Sequence, residues 1–318
     1  MKKRVLYFPY IRIPKSAWLT QTLLYWDKVS SIVPYEFINR PESLGPYMQG
    51  LLQEELVDQV IPGMYIHEIP NFEPAFQTYI DGLGAEMDRR RARFARGRRF
   101  KIHMEKMGGI GHALAGQGLA REGPHPWYEV EADTADDFMS YLAAVLGQIE
   151  RVDSSPVTNR AAYLRRFAHA GVAEDRVIQQ LQSLRTAVLK KVLPVPAHDL
   201  DPSAIRAFKD RHGHLLADFR WRVERELVAA AAIGDDILRK RHLDIFFDES
   251  AARAEEIQAA MRGARWETAE ASLSVLSAIP GAPQMFGLAA ALWNALSGRQ
   301  RQATSQDFAY AAYVRARL

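Results

Sequence analysis

The sequence predicts an α/β N-terminal layer over residues 1–155, followed by an all-helical region over 156–318. Three observations carry that reading. Short apolar runs alternate with stretches of helical apolar spacing through the first half. The strand signals stop at Asp153-Ser154-Ser155-Pro156. Beyond that point one helical period follows another, with no fixed internal repeat. The chain has 318 residues, 48% hydrophobic and 25% charged, enough apolar material to build a sizeable core.

Residues 4–8 read as a buried first strand, and a helix follows from Ser16, where Trp18, Leu19, Thr22, Leu23 and Trp26 recur at helical spacing. A second strand over 29–34 ends at Pro34. Pro46 suits the first turn of a helix running to Val60. Next come a short strand over Met64–Ile69, a helix from Glu73 to 82, an arginine-rich helix, a strand over Phe100–Met107 and a helix from 111. Trp127–Glu131 reads as a further strand. Thr134 with Asp137 three residues on matches a capping box ahead of Phe138, Tyr141, Leu142, Val145 and Leu146.

In the second half, Asp201-Pro202 supplies a helix start, and Ile205, Phe208, Leu215, Phe219, Val223 and Leu227 trace one face. Helices are expected near 158–170, 173–192, 203–232, 235–247, 249–263, 265–278, 284–298 and 306–316. Ala271 to Gly298 carries no charge, but Pro280, Gly281 and Pro283 divide it into arms of nine and fifteen residues. At ~1.5 Å per residue both arms fall short of a ~30 Å hydrocarbon core, so a buried hairpin is expected and no membrane span.

Zero cysteines exclude disulfides, thiolate nucleophiles and Cys-ligated metal sites, and suit a reducing cytoplasm. Met1-Lys2-Lys3-Arg4 opens like a signal peptide, but Pro9, Arg12 and Pro14 interrupt the apolar stretch and no cleavage site follows. A cytoplasmic chain is the expectation. No cofactor or metal is called for. The only close histidine pair, His212 and His214, would point apart on a helix, and Asp199, Asp201, Asp235, Asp236, Asp244 and Asp248 read as caps and solvated faces.

Leu6-Tyr7-Phe8-Pro9-Tyr10-Ile11, Trp18-Leu19, Leu24-Tyr25-Trp26 and Ile32-Val33-Pro34 resemble the opening of an uncharacterised bacterial family, domain of unknown function 6236. Ile102-His103-Met104-Glu105-Lys106-Met107 and Pro156-Val157-Thr158 resemble later landmarks of the same family, with Asn159 where Asp is usual. The resemblance covers roughly the first 160 residues and implies no catalytic residues.

The most unusual segment is Arg89 to Lys101, with seven arginines, one lysine and no acid. The formal net charge is +3, so three minus these eight leaves a net −5 for the rest of the chain. Arg89, Arg90, Arg93, Arg96, Arg98, Arg99 and Lys101 are candidate contacts for nucleic acid or another polyanion, with Phe94 and Phe100 available for stacking. Arg89, Arg93 and Arg96 share a helix face, a geometry suited to backbone phosphates rather than base edges. The alternative is a solvated face paired with the chain's own acids.

A second candidate follows directly. A strand, the turn Gly108-Gly109-Ile110-Gly111 and a helix starting near His112 could offer backbone N–H groups to a phosphate, although neither the dinucleotide nor the P-loop pattern is complete. On a strand, Lys101, His103 and Glu105 would share a face, with Glu105 and Lys106 at the carboxyl end where open α/β sheets bind ligands. His103, Glu105 and Lys106 are therefore the candidate catalytic residues of an enzyme acting on a phosphorylated small molecule. The uncharged hairpin 271–298 supports a third class, an interaction or effector protein with a protein partner.

Overall fold

The computed structural model describes residues 4–159, 175–193 and 200–263, together with 310, 311, 313 and 314. The chain divides into two compact units, Met1–Gln182 and Ser183–Leu318. An N-terminal parallel sheet with helices precedes a helical C-terminal region, as the alternating and then helical patterns predict.

The first unit holds two sheets. Strands β1 (Arg4–Tyr7), β2 (Lys28–Ile32), β3 (Val57–Val60) and β7 (Ser154–Val157) form a parallel sheet in the order β3-β2-β1-β7. Strands β4 (Arg99–His103), β5 (Ala120–Glu122) and β6 (Trp127–Glu131) form an antiparallel one in the order β4-β6-β5. Helix α1 (Ala17–Tyr25) starts where Ser16 Oγ accepts the Leu19 amide at 3.3 Å, and every residue from Leu19 to Tyr25 is buried. Helices α2 (Pro46–Gln53), α3 (Phe72–Asp81), α4 (Ala85–Ala95), α5 (Met104–Met107), α6 (Ile110–Gly116) and α7 (Ala132–Gln148) follow. The core joins Leu6 and Phe8 from the end of β1 to Phe72 and Phe76 of α3 and to Phe138, Tyr141 and Leu142 of α7. Each such side chain withdrawn from water contributes ~1.5–3 kcal/mol before its ordering cost.

Several local expectations are corrected. The helix expected from Pro46 to Val60 ends at Gln53, where the Leu56 amide folds back onto the Leu51 carbonyl and Glu55 turns left-handed at φ 53°. Val57–Val60 then pairs with β2. The strand expected over Met64–Ile69 is two 3₁₀ turns, Pro62–Met64 and Ile66–Glu68, because Pro62-Gly63 breaks the extended run. The strand expected to reach Met107 stops at His103, whose ring Nδ1 accepts the Glu105 amide at 3.2 Å and caps α5. Glu105 therefore does not share a strand face with Lys101 and His103. Helix α7 is capped by the Glu131 carboxylate on the Thr134 amide at 2.9 Å, not by Thr134 itself. Strands β5 and β7 are additions, and β7 carries Pro156 because it lies at a sheet edge.

Helix α8 (Asp175–Val192) enters the second unit at Ser183, and α9 (Pro202–His212), α10 (Leu216–Ala232) and α11 (Asp236–Gly263) follow there. The single helix expected over 203–232 is interrupted by a 3₁₀ turn at Gly213–Leu215, while the two expected over 235–247 and 249–263 are one. Arg185 donates two bonds to Glu224, at 2.6 and 2.7 Å, tying α8 to α10 in a bidentate pair. Phe208, Phe219 and Tyr310 form an aromatic cluster, and His212 stacks on Tyr313 at 4.2 Å. His212 is buried and lies in α9 while His214 lies in the 3₁₀ turn. Among the described residues there is no strand after Val157, and no helix is long and apolar enough to cross a membrane. The helices expected at 158–170, 265–278 and 284–298, most of 306–316, and the hairpin 271–298 lie outside the described residues.

Candidate functional site

The arginine run is split by its own fold. Arg90 is buried, and its guanidinium meets Asp137 at 2.7 Å, with Thr134 Oγ1 at 3.3 Å. Asp137 also accepts the Tyr79 hydroxyl at 2.9 Å, and burial first, then this carboxylate, pushes that phenol up to about 12. Arg93 bridges Glu86, Glu131 and Asp133 at 2.6, 3.3 and 2.9 Å. Hydrogen bonds from Arg93 and Arg89 hold the Glu86 carboxyl down at about 2. Arg89 pairs with Glu86, Arg91 with Asp88 and the Gln117 carbonyl, and Arg99 with Glu129 at 3.2 Å. The side chains of Arg96, Arg98 and Lys101 are exposed and have no hydrogen-bond or ion-pair partner among the described residues. Phe100 stands exposed beside them, while Phe94 is half-buried.

The glycine turn is occupied from within. The Gly109 amide donates to the Glu73 carboxylate at 2.6 Å, and a Cβ at Gly108 would lie 2.8 Å from the same carboxylate. Gly111 is required by packing, since a Cβ there would come within 2.4 Å of the Tyr128 ring. His112 is exposed. This turn therefore presents a protein carboxylate where the sequence pattern suggests a phosphate. Glu105 is equally engaged: its Oε2 accepts the Tyr35 amide at 2.8 Å, and its side chain covers Gly63, where a Cβ would meet Oε1 at 2.9 Å.

His103 and Lys106 face elsewhere. They line a pocket of about 360 Å³ with Pro9, Tyr10, Ile11, Arg12, Phe100, Lys101, Ile102, Trp127, Ala135, Asp136 and Met139. Topology explains its position. From β1 the chain builds outward through β2 to β3, passes through the antiparallel sheet, and returns as β7 on the other side of β1. The carboxyl end of β1 is thus the switch point of an open parallel sheet, and the segment Pro9–Arg12 leaves from there. Ser31 Oγ donates to the Ile11 carbonyl at 2.7 Å, and the Arg12 guanidinium donates to the Ser43 carbonyl, so this segment is held in place.

The pocket is cationic at its rim, with two buried basic side chains beneath. Arg12 and Lys101 are exposed, His103 is buried, and Lys106 is only 3% exposed. Lys106 has no hydrogen bond or ion pair among the described residues. Burial drives its ammonium down to about 7, against a smaller upward pull from Glu105. Burial also lowers His103, despite the Glu36 carboxylate 3.4 Å from its Nε2. Because Nδ1 accepts the Glu105 amide, the neutral ring carries its proton on Nε2. Trp127 packs edge-on to that ring at 5.1 Å. Arg12, Trp127 and Asp136 are pocket residues that no sequence motif singles out, because they come from three separate elements.

A wider cavity of about 1160 Å³ lies near Arg90, Tyr79 and Tyr141. Two of its polar side chains are engaged elsewhere, Arg90 with Asp137 and the Tyr141 hydroxyl with the Phe72 carbonyl at 2.7 Å. Among the described residues no group of three His, Asp or Glu side chains is placed to hold a metal ion. No protein family model, curated protein or solved structure matches the chain.

Proposed function

We propose that this chain binds a small anionic metabolite, phosphorylated or carboxylated, in the pocket at the carboxyl end of β1 and acts on it as an enzyme. The carrying observation is a buried, unpartnered Lys106 beneath the exposed Arg12 and Lys101, in a pocket of about 360 Å³. That volume is in the range that holds small-molecule ligands, and the setting is the usual ligand position of an open α/β sheet. Arg12 and Lys101 attract the anionic group, and Phe100 and Trp127 supply apolar wall. The reading extends to a cytoplasmic setting, which the absence of cysteine suits.

The test is thermal stabilisation by inorganic phosphate, pyrophosphate and a panel of sugar phosphates and short carboxylates. Ligand at a hundredfold excess over Kd stabilises by ~2.7 kcal/mol, a shift of several degrees. Lys101→Glu should weaken the response at least tenfold without unfolding the chain, since Lys101 is exposed. A flat response to every anion at about 10 mM would remove this reading.

A second reading rests on Arg96, Arg98 and Lys101, whose exposed side chains form no ion pair among the described residues, with Phe100 exposed beside them. It is non-sequence-specific nucleic-acid binding through three phosphate contacts, which gives a salt slope of ~2.7 on duplex DNA. Arg96→Glu with Arg98→Glu should abolish retention of unrelated DNA and RNA at low salt and leave anion binding in the pocket intact.

A further inference from the structure

We infer that Lys106 is a nucleophilic amine that condenses with the carbonyl group of an anionic aldehyde or ketone held in this pocket. The inference rests on the small-anion reading above and deepens it. A lysine whose task is to bind a phosphate keeps its charge, through solvent or a nearby carboxylate. Lys106 has little of either: it is 3% exposed, and no acid forms an ion pair with it among the described residues. Glu105, its sequence neighbour, is turned away onto the Tyr35 amide and Gly63. A substantial fraction of Lys106 is therefore free amine near neutral pH, as its lowered pKa of about 7 also indicates. A neutral amine is a weak ligand for phosphate and a strong nucleophile toward carbonyl carbon.

The surroundings divide the ligand into matching parts. Exposed Arg12 and Lys101 hold the anionic end at the rim, so the carbonyl end points inward to Lys106. Met139, Ile102 and Trp127 line the interior with apolar surface that limits water. The Lys106 nitrogen lone pair attacks the carbonyl carbon, and the C=O π pair moves to oxygen, which takes the proton released by nitrogen. The carbinolamine hydroxyl takes one proton from solvent and leaves as water while the nitrogen lone pair forms the C=N bond, giving a protonated imine on Nζ. His103 Nε2 faces the Glu36 carboxylate at 3.4 Å, so the carbonyl oxygen takes its proton from the attacking nitrogen, and Asp136 is the carboxylate on the pocket wall.

The experiment uses the full-length chain with glyoxylate and, separately, pyruvate, in the presence of cyanoborohydride at pH 7, with adducts located by peptide mass mapping. Exposed Lys101 is the internal comparison. An ordinary lysine is almost wholly protonated at this pH, so Lys106 should be trapped at least ~10-fold faster. Lys106→Arg should abolish that adduct. Equal or slower labelling of Lys106 relative to Lys101 overturns the inference, and because that comparison is internal to the wild-type chain it does not depend on the variant folding. If phosphate or pyrophosphate still stabilises the chain in that case, only the nucleophile inference falls. If no anion stabilises it and no adduct forms, the pocket reading falls with it.

Discussion

Replacing Lys106 by Met should stabilise the fold at and below neutral pH, and the gain should shrink as pH rises. Lys106 is shifted from 10.5 to about 7 by burial. Its folded form binds fewer protons than the unfolded chain between those two values, so wild-type stability rises with pH across that window. The penalty is fully present below about 7 and gone above 10.5. At ~1.4 kcal/mol per tenfold in proton affinity, it is on the order of 5 kcal/mol, an upper figure that local opening of the pocket reduces. Methionine keeps the stem length and needs no hydrogen-bond partner. Guanidinium midpoints of the two proteins, measured in parallel from pH 6 to pH 10, give the difference directly, because every other titrating group cancels. A Met variant less stable than wild type at pH 6, or a difference that stays constant across the range, would refute the claim that Lys106 is desolvated and unpaired.

Asp137→Asn should cost ~3 kcal/mol or more, read by chemical denaturation, because it leaves the Arg90 guanidinium charged and without its buried partner at 2.7 Å. Glu86→Gln should lower stability at neutral pH, and its deficit should close on acidification. The Glu86 carboxyl is held at about 2 against an ordinary 4.5, so its contribution is present above 4.5 and lost as pH falls through about 2. Gly147→Ala should destabilise the first unit by ~1–3 kcal/mol, because a Cβ would stand 2.3 Å from the Ser154 carbonyl oxygen and push α7 off β7. A thermal melt indistinguishable from wild type would show that the helix and strand can part without cost.

The layers of this fold were legible where periodicity is long or turn chemistry is strong. A helix starting at Ser16, Pro46 at a helix start and Trp127–Glu131 as a strand all follow from local rules. What escaped is decided by distant partners. Val57–Val60 is a strand because Val29–Ile32 lies beside it, although the same residues continue an apolar helical pattern. Ser154–Val157 has too few apolar residues to announce a strand, and its pairing with β1 alone makes it one. In the site, His103 and Lys106 were recognisable as chemistry-bearing residues near a strand end. Glu105 stood out equally by type, yet a one-residue change of direction at the His103 cap sends it to Tyr35 instead. The arginines offered no local sign of which would be buried, since Arg90 differs from Arg89 only in facing Asp137 of α7. Arg12 and Asp136 reach the pocket through tertiary folding, which spacing along the chain does not encode.

The late arrival of β7 also sets an order of events during synthesis. Its register places Arg4 against Ser154, partners 150 positions apart. At ~5–20 residues per second, a ribosome needs about 8–30 s to deliver the strand that completes the sheet. Until then the open side of β1, with Val5, Leu6 and Tyr7 in sequence, is a template for pairing with other nascent chains. Truncation anywhere before residue 154 leaves that edge exposed permanently, so fragments ending there should collect as aggregates while those extending past Val157 remain soluble. The finished edge is protected differently: Pro156 contributes no amide donor, which interrupts the ladder that another strand would need to dock.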